Sequence, residues 1–267
     1  MALFSISPVN SLSFVKIDTN EENYTNTVFQ NINKSFGKVP YNQMINNGDV
    51  LTIQLKTDYD SVTAWLYNIL TGTVTSLSPG VATTYTDFSF WEIPVTFTDN
   101  GFFKMFISAT LSGAPNKDYV SEVIEVRNSW DDQNAVNLVA YNNENTGEVD
   151  YSTGIVHFFR LYGLLYLSDI GGNEEFYNNF GIEERTYAEN QTIYELSIEG
   201  IPYYLCRQII YCSKLDRVFI NDIEFIIEGH TLTRQANSYM YDLILKATQK
   251  QVEGIAVYTD FGLPSVS

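Results

Sequence analysis

The chain has 267 residues, of which 45% are hydrophobic, 15% aromatic and only 18% charged, a composition that suits one or two domains with their own cores and excludes a disordered chain. There are 32 acids against 15 bases, a net charge of −17, with no basic run anywhere. Direct nucleic-acid binding and adhesion to an anionic membrane are therefore disfavoured, because both need clustered Lys and Arg.

The opening stretch, MALFSISPVN, lacks a basic n-region and a long apolar core, so no signal peptide is expected. No run approaches the ~20 apolar residues of a membrane helix. Residues 1–48 are Asn-rich and irregular, with a strand expected at Leu12–Ile17. The rest reads as an extended arm, which either crosses to a neighbouring subunit or lies as an edge strand and loop on its own domain.

Residues 49–128 read as a sandwich of short strands. Val50–Thr57 alternates, with Leu51, Ile53 and Leu55 on one side. Ser61–Leu70, Thr73–Leu77, Glu92–Thr98, Phe102–Thr110 and Tyr119–Arg127 follow, with turn signals between them. Asp99-Asn100-Gly101-Phe102-Phe103 resembles the D-x-G-x-Y corner before the sixth strand of immunoglobulin-like domains, with Phe103 in the Tyr place. By the same resemblance Trp65 takes the place of the third-strand core tryptophan. Ser129–Asn134 is polar and marks the expected boundary.

Residues 135–267 read as a second β-barrel or sandwich with one packed helix. Ala135–Tyr141 is an expected strand. Ile155–Leu167 is long and apolar around Gly163, either one bent strand or two strands meeting at a bulge. Asp169–Gly172 reads as a loop, Asn173–Gly181 as a helical turn, and Glu184–Ala188 and Ile193–Ile198 as two further strands. The helix is expected at 202–213. Pro202 suits a first helical position, and Leu205, Cys206, Ile209, Ile210 and Cys212 form an apolar arc broad enough to predict deep burial. The hairpin is expected at 217–227, because Asn221-Asp222 tolerates the positive φ of a two-residue turn. Tyr239–Ala247 alternates as a strand, and Gly254–Thr259 is a last short candidate.

Candidate chemistry is sparse. Cys206 and Cys212 lie six apart on one helix, cannot bridge within it, and are expected as buried free thiols in a reducing compartment. With His157 and His230 they complete the residue types of a zinc site, but without the short spacing that aims ligands at one metal. His157 lies in an apolar strand and His230 at a strand end, neither in a recognisable nucleophile motif. The acid groups Asp18/Glu21/Glu22, Asp131/Asp132 and Glu144/Glu148 lack the alternating pattern of a calcium loop. Glu174-Glu175 and Glu183-Glu184 are adjacent pairs, and adjacent side chains on a strand point to opposite faces. A glycosidase pair is not built that way. Trp91, Trp130, Tyr203 and Tyr204 are candidates for a sugar-stacking surface or for core and interface packing. No catalytic, cofactor or metal site is expected.

A second resemblance covers about Ile155 to Ala247. FFRLYGLLYL, TYAENQTIYELSIEGIPYYLCRQIIYC and LDRVFINDIEFII resemble structural virion proteins of tailed phages that infect Bacteroidetes. The resemblance implies a non-enzymatic tail, tail-tip or baseplate-type subunit, assembled in the host cytoplasm and located in the virion. The partners it implies are copies of itself and other virion proteins. The reading from a different class is a carbohydrate- or host-surface-binding module.

Overall fold

The computed structural model describes residues 3–7, 10–17, 41–130, 134–146, 148–179, 182–236 and 238–250, with the backbone alone for 170–191. The described residues are mainly β, with one α-helix among them. The first half is a sandwich. One sheet runs in the order β1 (Phe4–Ile6), β4 (Val50–Thr57), β8 (Ser89–Thr96), β7 (Gly80–Thr84). The other places β9 (Gly101–Thr110) between β5 (Ser61–Asn68) and a broken strand, β10 (Lys117–Ser121) and β11 (Val123–Arg127). β6 (Val74–Ser76) extends it beyond β5. β2 (Phe14–Lys16) pairs with β10, and β3 (Asn42–Asn46) runs parallel to β11. This division of strands between two sheets is the immunoglobulin-like arrangement.

Period-two alternation makes the sandwich core. Leu51, Ile53 and Leu55 from β4 meet Val62, Ala64 and Leu66 from β5 and Met105, Ile107 and Ala109 from β9, all buried. Trp65 is not part of that core. It sits half-buried on the opposite face of β5, stacked on Phe106 at 5.6 Å between ring centroids. Strand parity decides this, since its neighbours Ala64 and Leu66 point inward. Phe103 does lie in the core, edge-on to Phe97. The described parts of the expected N-terminal arm, β1, β2 and β3, pair within this chain's own sandwich. Residues 18–40, with Asp18, Glu21 and Glu22, lie outside the described residues, as do Asp131, Asp132 and the Gly254–Thr259 strand.

The second half is one seven-stranded antiparallel sheet in the order β13 (His157–Tyr162), β12 (Ala135–Tyr141), β16 (Arg217–Ile220), β17 (Ile223–Arg234), β18 (Met240–Gln249), β15 (Ile182–Pro202), β14 (Leu164–Asn179). β13 and β14 are its two edges, yet only Gly163 separates them in sequence. The sheet must therefore curl until its edges meet at one corner, and it forms a half-barrel. Gly163 is required there, because a Cβ would stand 2.9 Å from the Ser197 carbonyl oxygen. The expected alternatives for Ile155–Leu167 resolve as two strands meeting at this glycine. Helix α1 (Tyr203–Cys212) fills the concave side, burying Leu205, Cys206, Ile209 and Cys212 against Leu196, Ile198, Leu243 and Leu245. Pro202 is extended and is the residue before the helix rather than its first member. Burial is one-sided: Tyr203, Arg207 and Tyr211 are exposed. The hairpin turn is as read, with φ of 48° at Asn221 and 65° at Asp222.

The largest departure lies at residues 169–192. Among the described residues there, 169–179 and 182–192, strand replaces the expected loop and helical turn, and residues 180 and 181 lie outside the described residues. β14 and β15 pair continuously from Leu164↔Ser197 to Asn179↔Ile182, with two register shifts. β18 supports β15 only from Ile193 onward. The ten residue pairs beyond form a two-stranded ribbon about 30 Å long that pairs with no other strand among the described residues.

Candidate functional site

Two features stand out from the packed scaffold. The first is the seam between sandwich and half-barrel. Gln54, fully buried in β4, donates to the Asp150 carbonyl at 3.0 Å and accepts from the Asp150 N–H at 2.7 Å. Asn10 makes the same kind of two-way bond to the Gln54 backbone. Arg160 of β13, 4% exposed, donates to Asp49 at 2.5 Å and to Asn137 at 2.9 Å. Ser11 Oγ accepts from the Phe158 N–H at 2.9 Å. Trp130 seals one end: its indole N–H donates to the Ile45 carbonyl at 2.9 Å, Arg127 lies 4.0 Å over its ring, and Tyr162 meets it edge-on. A polar group buried at such a seam is tolerated only when it is bonded, and these are. The two halves are thus pinned by directional contacts.

Glu122 sits where β10 gives way to β11. Ser121 Oγ takes over the Met105 N–H at this interruption, as a bulge allows. The Glu122 carboxyl accepts from Tyr204 OH at 2.6 Å and from the Ser13 N–H at 3.1 Å. Burial pushes its pKa up to about 7, against the pull of those two donors. A carboxyl with such a value in an open cleft is a candidate acid or base. Here both oxygens are committed and the side chain is enclosed, so it serves as a strut. Gln208 of α1 lies beside it, accepting from Ser13 and donating to the Asn10 carbonyl.

Above these struts lies a cleft of about 530 Å³ between β1, β2 and α1. Phe4, Phe14 and Tyr119 form one wall, and Tyr204, Arg207 and Tyr211 the other. Phe4 stacks on Tyr119 at 4.8 Å. Arg207 donates to Tyr211 OH at 3.0 Å, and that bond with the guanidinium charge lowers the phenol's pKa. Aromatic walls with one guanidinium and several hydroxyls among them can hold an amphiphilic or acidic group. The second feature is the ribbon of β14 and β15. An unsupported two-stranded ribbon is marginal in water and presents two open edges.

The remaining sequence candidates are not brought together. His157 is buried, bonded to Tyr151 OH at 2.9 Å, and burial lowers its pKa to about 4. His230 is exposed on β17. Among the described residues no group of three or more His, Cys, Asp or Glu is placed to hold a metal ion. Trp91 lies on β8, Trp130 at the seam, and Tyr203 and Tyr204 on α1, so they form no single platform. Glu174 and Glu175 lie on β14, and Glu183 and Glu184 on β15. No helix among the described residues is long and apolar enough to cross a membrane.

Cys206 and Cys212 form no disulfide and are buried, and burial pushes the Cys206 thiol up to about 12 and Cys212 higher still. Neither thiol should react with Ellman's reagent at pH 8 in the native state, and two per chain should react after guanidinium unfolding. Rapid native labelling would show that α1 lifts off the sheet.

Sequence reasoning did not find the cleft, since its walls are contributed by segments about 200 residues apart. It also missed Glu122, Gln54 and Asn10, which no local pattern marks as buried. Scanned against protein-family models the chain matches none, and no curated protein matches it. The fold alone defines the class: a mainly β protein with an immunoglobulin-like sandwich pinned to a helix-filled half-barrel.

Proposed function

We propose that the chain is a non-enzymatic structural subunit that assembles with copies of itself, in the tail, tail tip or baseplate of a tailed phage infecting Bacteroidetes. The observation that carries the assembly reading is the ribbon of β14 and β15. These ten residue pairs have no third strand beside them among the described residues, and pairing with a neighbour's strand would complete their backbone edges. The virion setting rests on the resemblance of Ile155–Ala247. The charge of −17 keeps free subunits apart until a geometry that matches charges is reached. The test is absolute mass by light scattering on a sizing column across concentration and salt. A discrete species several times 30.4 kDa is expected, growing as salt screens the long-range repulsion. A 30.4 kDa species under every condition would remove the reading.

The aromatic-walled cleft favours a second reading, a carbohydrate- or host-surface-binding module. Binding on a glycan array, lost on Tyr119→Ala, would support it over the first.

A further inference from the structure

The ribbon and the exposed face of α1 are complementary in charge and lie at opposite ends of one strand. The exposed face of the helix is a stripe. Tyr203, Arg207 and Tyr211 are spaced i, i+4, i+8, and Lys214 in the following turn continues the line. Tyr203 is 50% exposed and Tyr211 41%. Arg127, Arg160, Arg217, Lys246 and Lys250 are each paired with a carboxylate of this chain. Arg207 and Lys214, like Lys16, Lys117 and Arg234 elsewhere, have no carboxylate partner among the described residues, and they differ in sharing one helical stripe with two exposed tyrosines. The stripe is thus a positive, aromatic strip on a strongly acidic molecule, and the cleft opens beside it through Arg207 and Tyr211.

The ribbon has the opposite character. Residues 170–179 and 182–191 carry Glu174, Glu175, Glu183, Glu184 and Glu189 against Arg185, a net −4. The body of β15 separates it in the chain from the stripe. β15 leaves the ribbon at Ile193 and runs ten residues, about 30 Å, along the sheet before α1 begins at Tyr203. The ribbon extends away from that end.

We propose that the ribbon of one copy docks on the Tyr203–Arg207–Tyr211–Lys214 stripe of the next, making a head-to-tail contact between copies of this chain. The inference rests on the self-assembly reading above and names its contact. Donor and acceptor surfaces are different patches at the two ends of β15, so the contact is heterologous. It propagates from copy to copy, into a ring if the rotation closes and a filament if it does not.

The test uses charge reversal on the full chain. One variant carries Arg207→Glu and Lys214→Glu; the other carries Glu174→Lys, Glu175→Lys, Glu183→Lys and Glu184→Lys. Each is sized by light scattering beside wild type, and folding is checked by circular dichroism melts. Each variant alone should lose the assembled species, because both of its surfaces then carry the same sign. An equimolar mixture should regain it as an alternating copolymer, since every contact in the mixture pairs opposite signs. A neutral variant, Arg207→Gln with Lys214→Gln, should shift assembly to higher protein concentration and covers the case in which a reversal unfolds the chain. Wild-type assembly that persists unchanged in any folded variant overturns the docking and leaves self-assembly standing. A folded pair that stays monomeric when mixed also overturns it. A wild type that never assembles removes both.

Discussion

Truncating Trp130 to alanine should lower the unfolding free energy by about 3–5 kcal/mol. Trp130 is 1% exposed and is among the largest fully buried side chains. It links three pieces of the molecule: Arg127 at the end of β11 covers its ring, the Ile45 carbonyl on β3 accepts its N–H, and Tyr162 at the end of β13 packs on its edge. Alanine leaves a cavity at the seam together with a carbonyl that has lost its donor. Phenylalanine refills most of the volume but not the hydrogen bond, so Trp130→Phe should cost less. The part due to the lost bond is about 1–2 kcal/mol. Urea titrations of both variants separate the two effects. A loss under about 1 kcal/mol for the alanine variant would mean that the two halves are not held at this point.

Glu122→Gln should stabilise the protein at pH 8 and change little at pH 5. The carboxyl is fully enclosed, and burial raises its folded-state pKa from 4.5 to about 7. The unfolded chain keeps the ordinary value. Between the two values the folded state holds the proton and the unfolded state does not. Stability from this group is therefore complete below the unfolded pKa and falls as pH rises through about 7. The fall amounts to about 3 kcal/mol. Glutamine has no charge to bury and keeps an acceptor for Tyr204 OH or the Ser13 N–H, so its stability should not fall over that window. The measurement is the difference in urea midpoint between variant and wild type at pH 5, 6, 7 and 8. A difference that does not grow with pH would mean that water reaches the carboxylate in the folded state.

What the sequence revealed and what it hid follow a physical line. Where one face of a strand is buried, alternation marks it, and the expected bounds of Val50–Thr57 and Ala135–Tyr141 match β4 and β12. The Asn221-Asp222 turn was legible because few residues accept its dihedral angles. The ribbon was not legible. Gly171-Gly172 read as loop and the Asn-rich run after it as a helical turn, because neither stretch carries the period-two alternation that marks a strand. The short strands β1, β3 and β7 were hidden for a related reason, being too brief for a period to emerge. Trp65 was assigned inward by resemblance although the alternation of its neighbours sends it outward. The seam could not be read at all. Gln54, Asn10 and Gln208 are ordinary surface residue types, and only partners about 44 to 198 positions away make their burial tolerable.

The corner at Gly163 also decides how a tug on the ribbon would be borne. β15 runs from the ribbon into the sheet, clasped along its length by β18. β14 runs instead to the corner, where one glycine hands it to β13, the strand that leans on the sandwich through Phe158 and Arg160. A load applied at the ribbon would thus divide between two anchorages, one in each half of the molecule. Along β15 it meets ladder hydrogen bonds in shear, which must break together rather than one at a time. The corner makes the projecting element a cantilever fixed at two points, able to transmit tension and torque into the whole body instead of peeling away from one sheet.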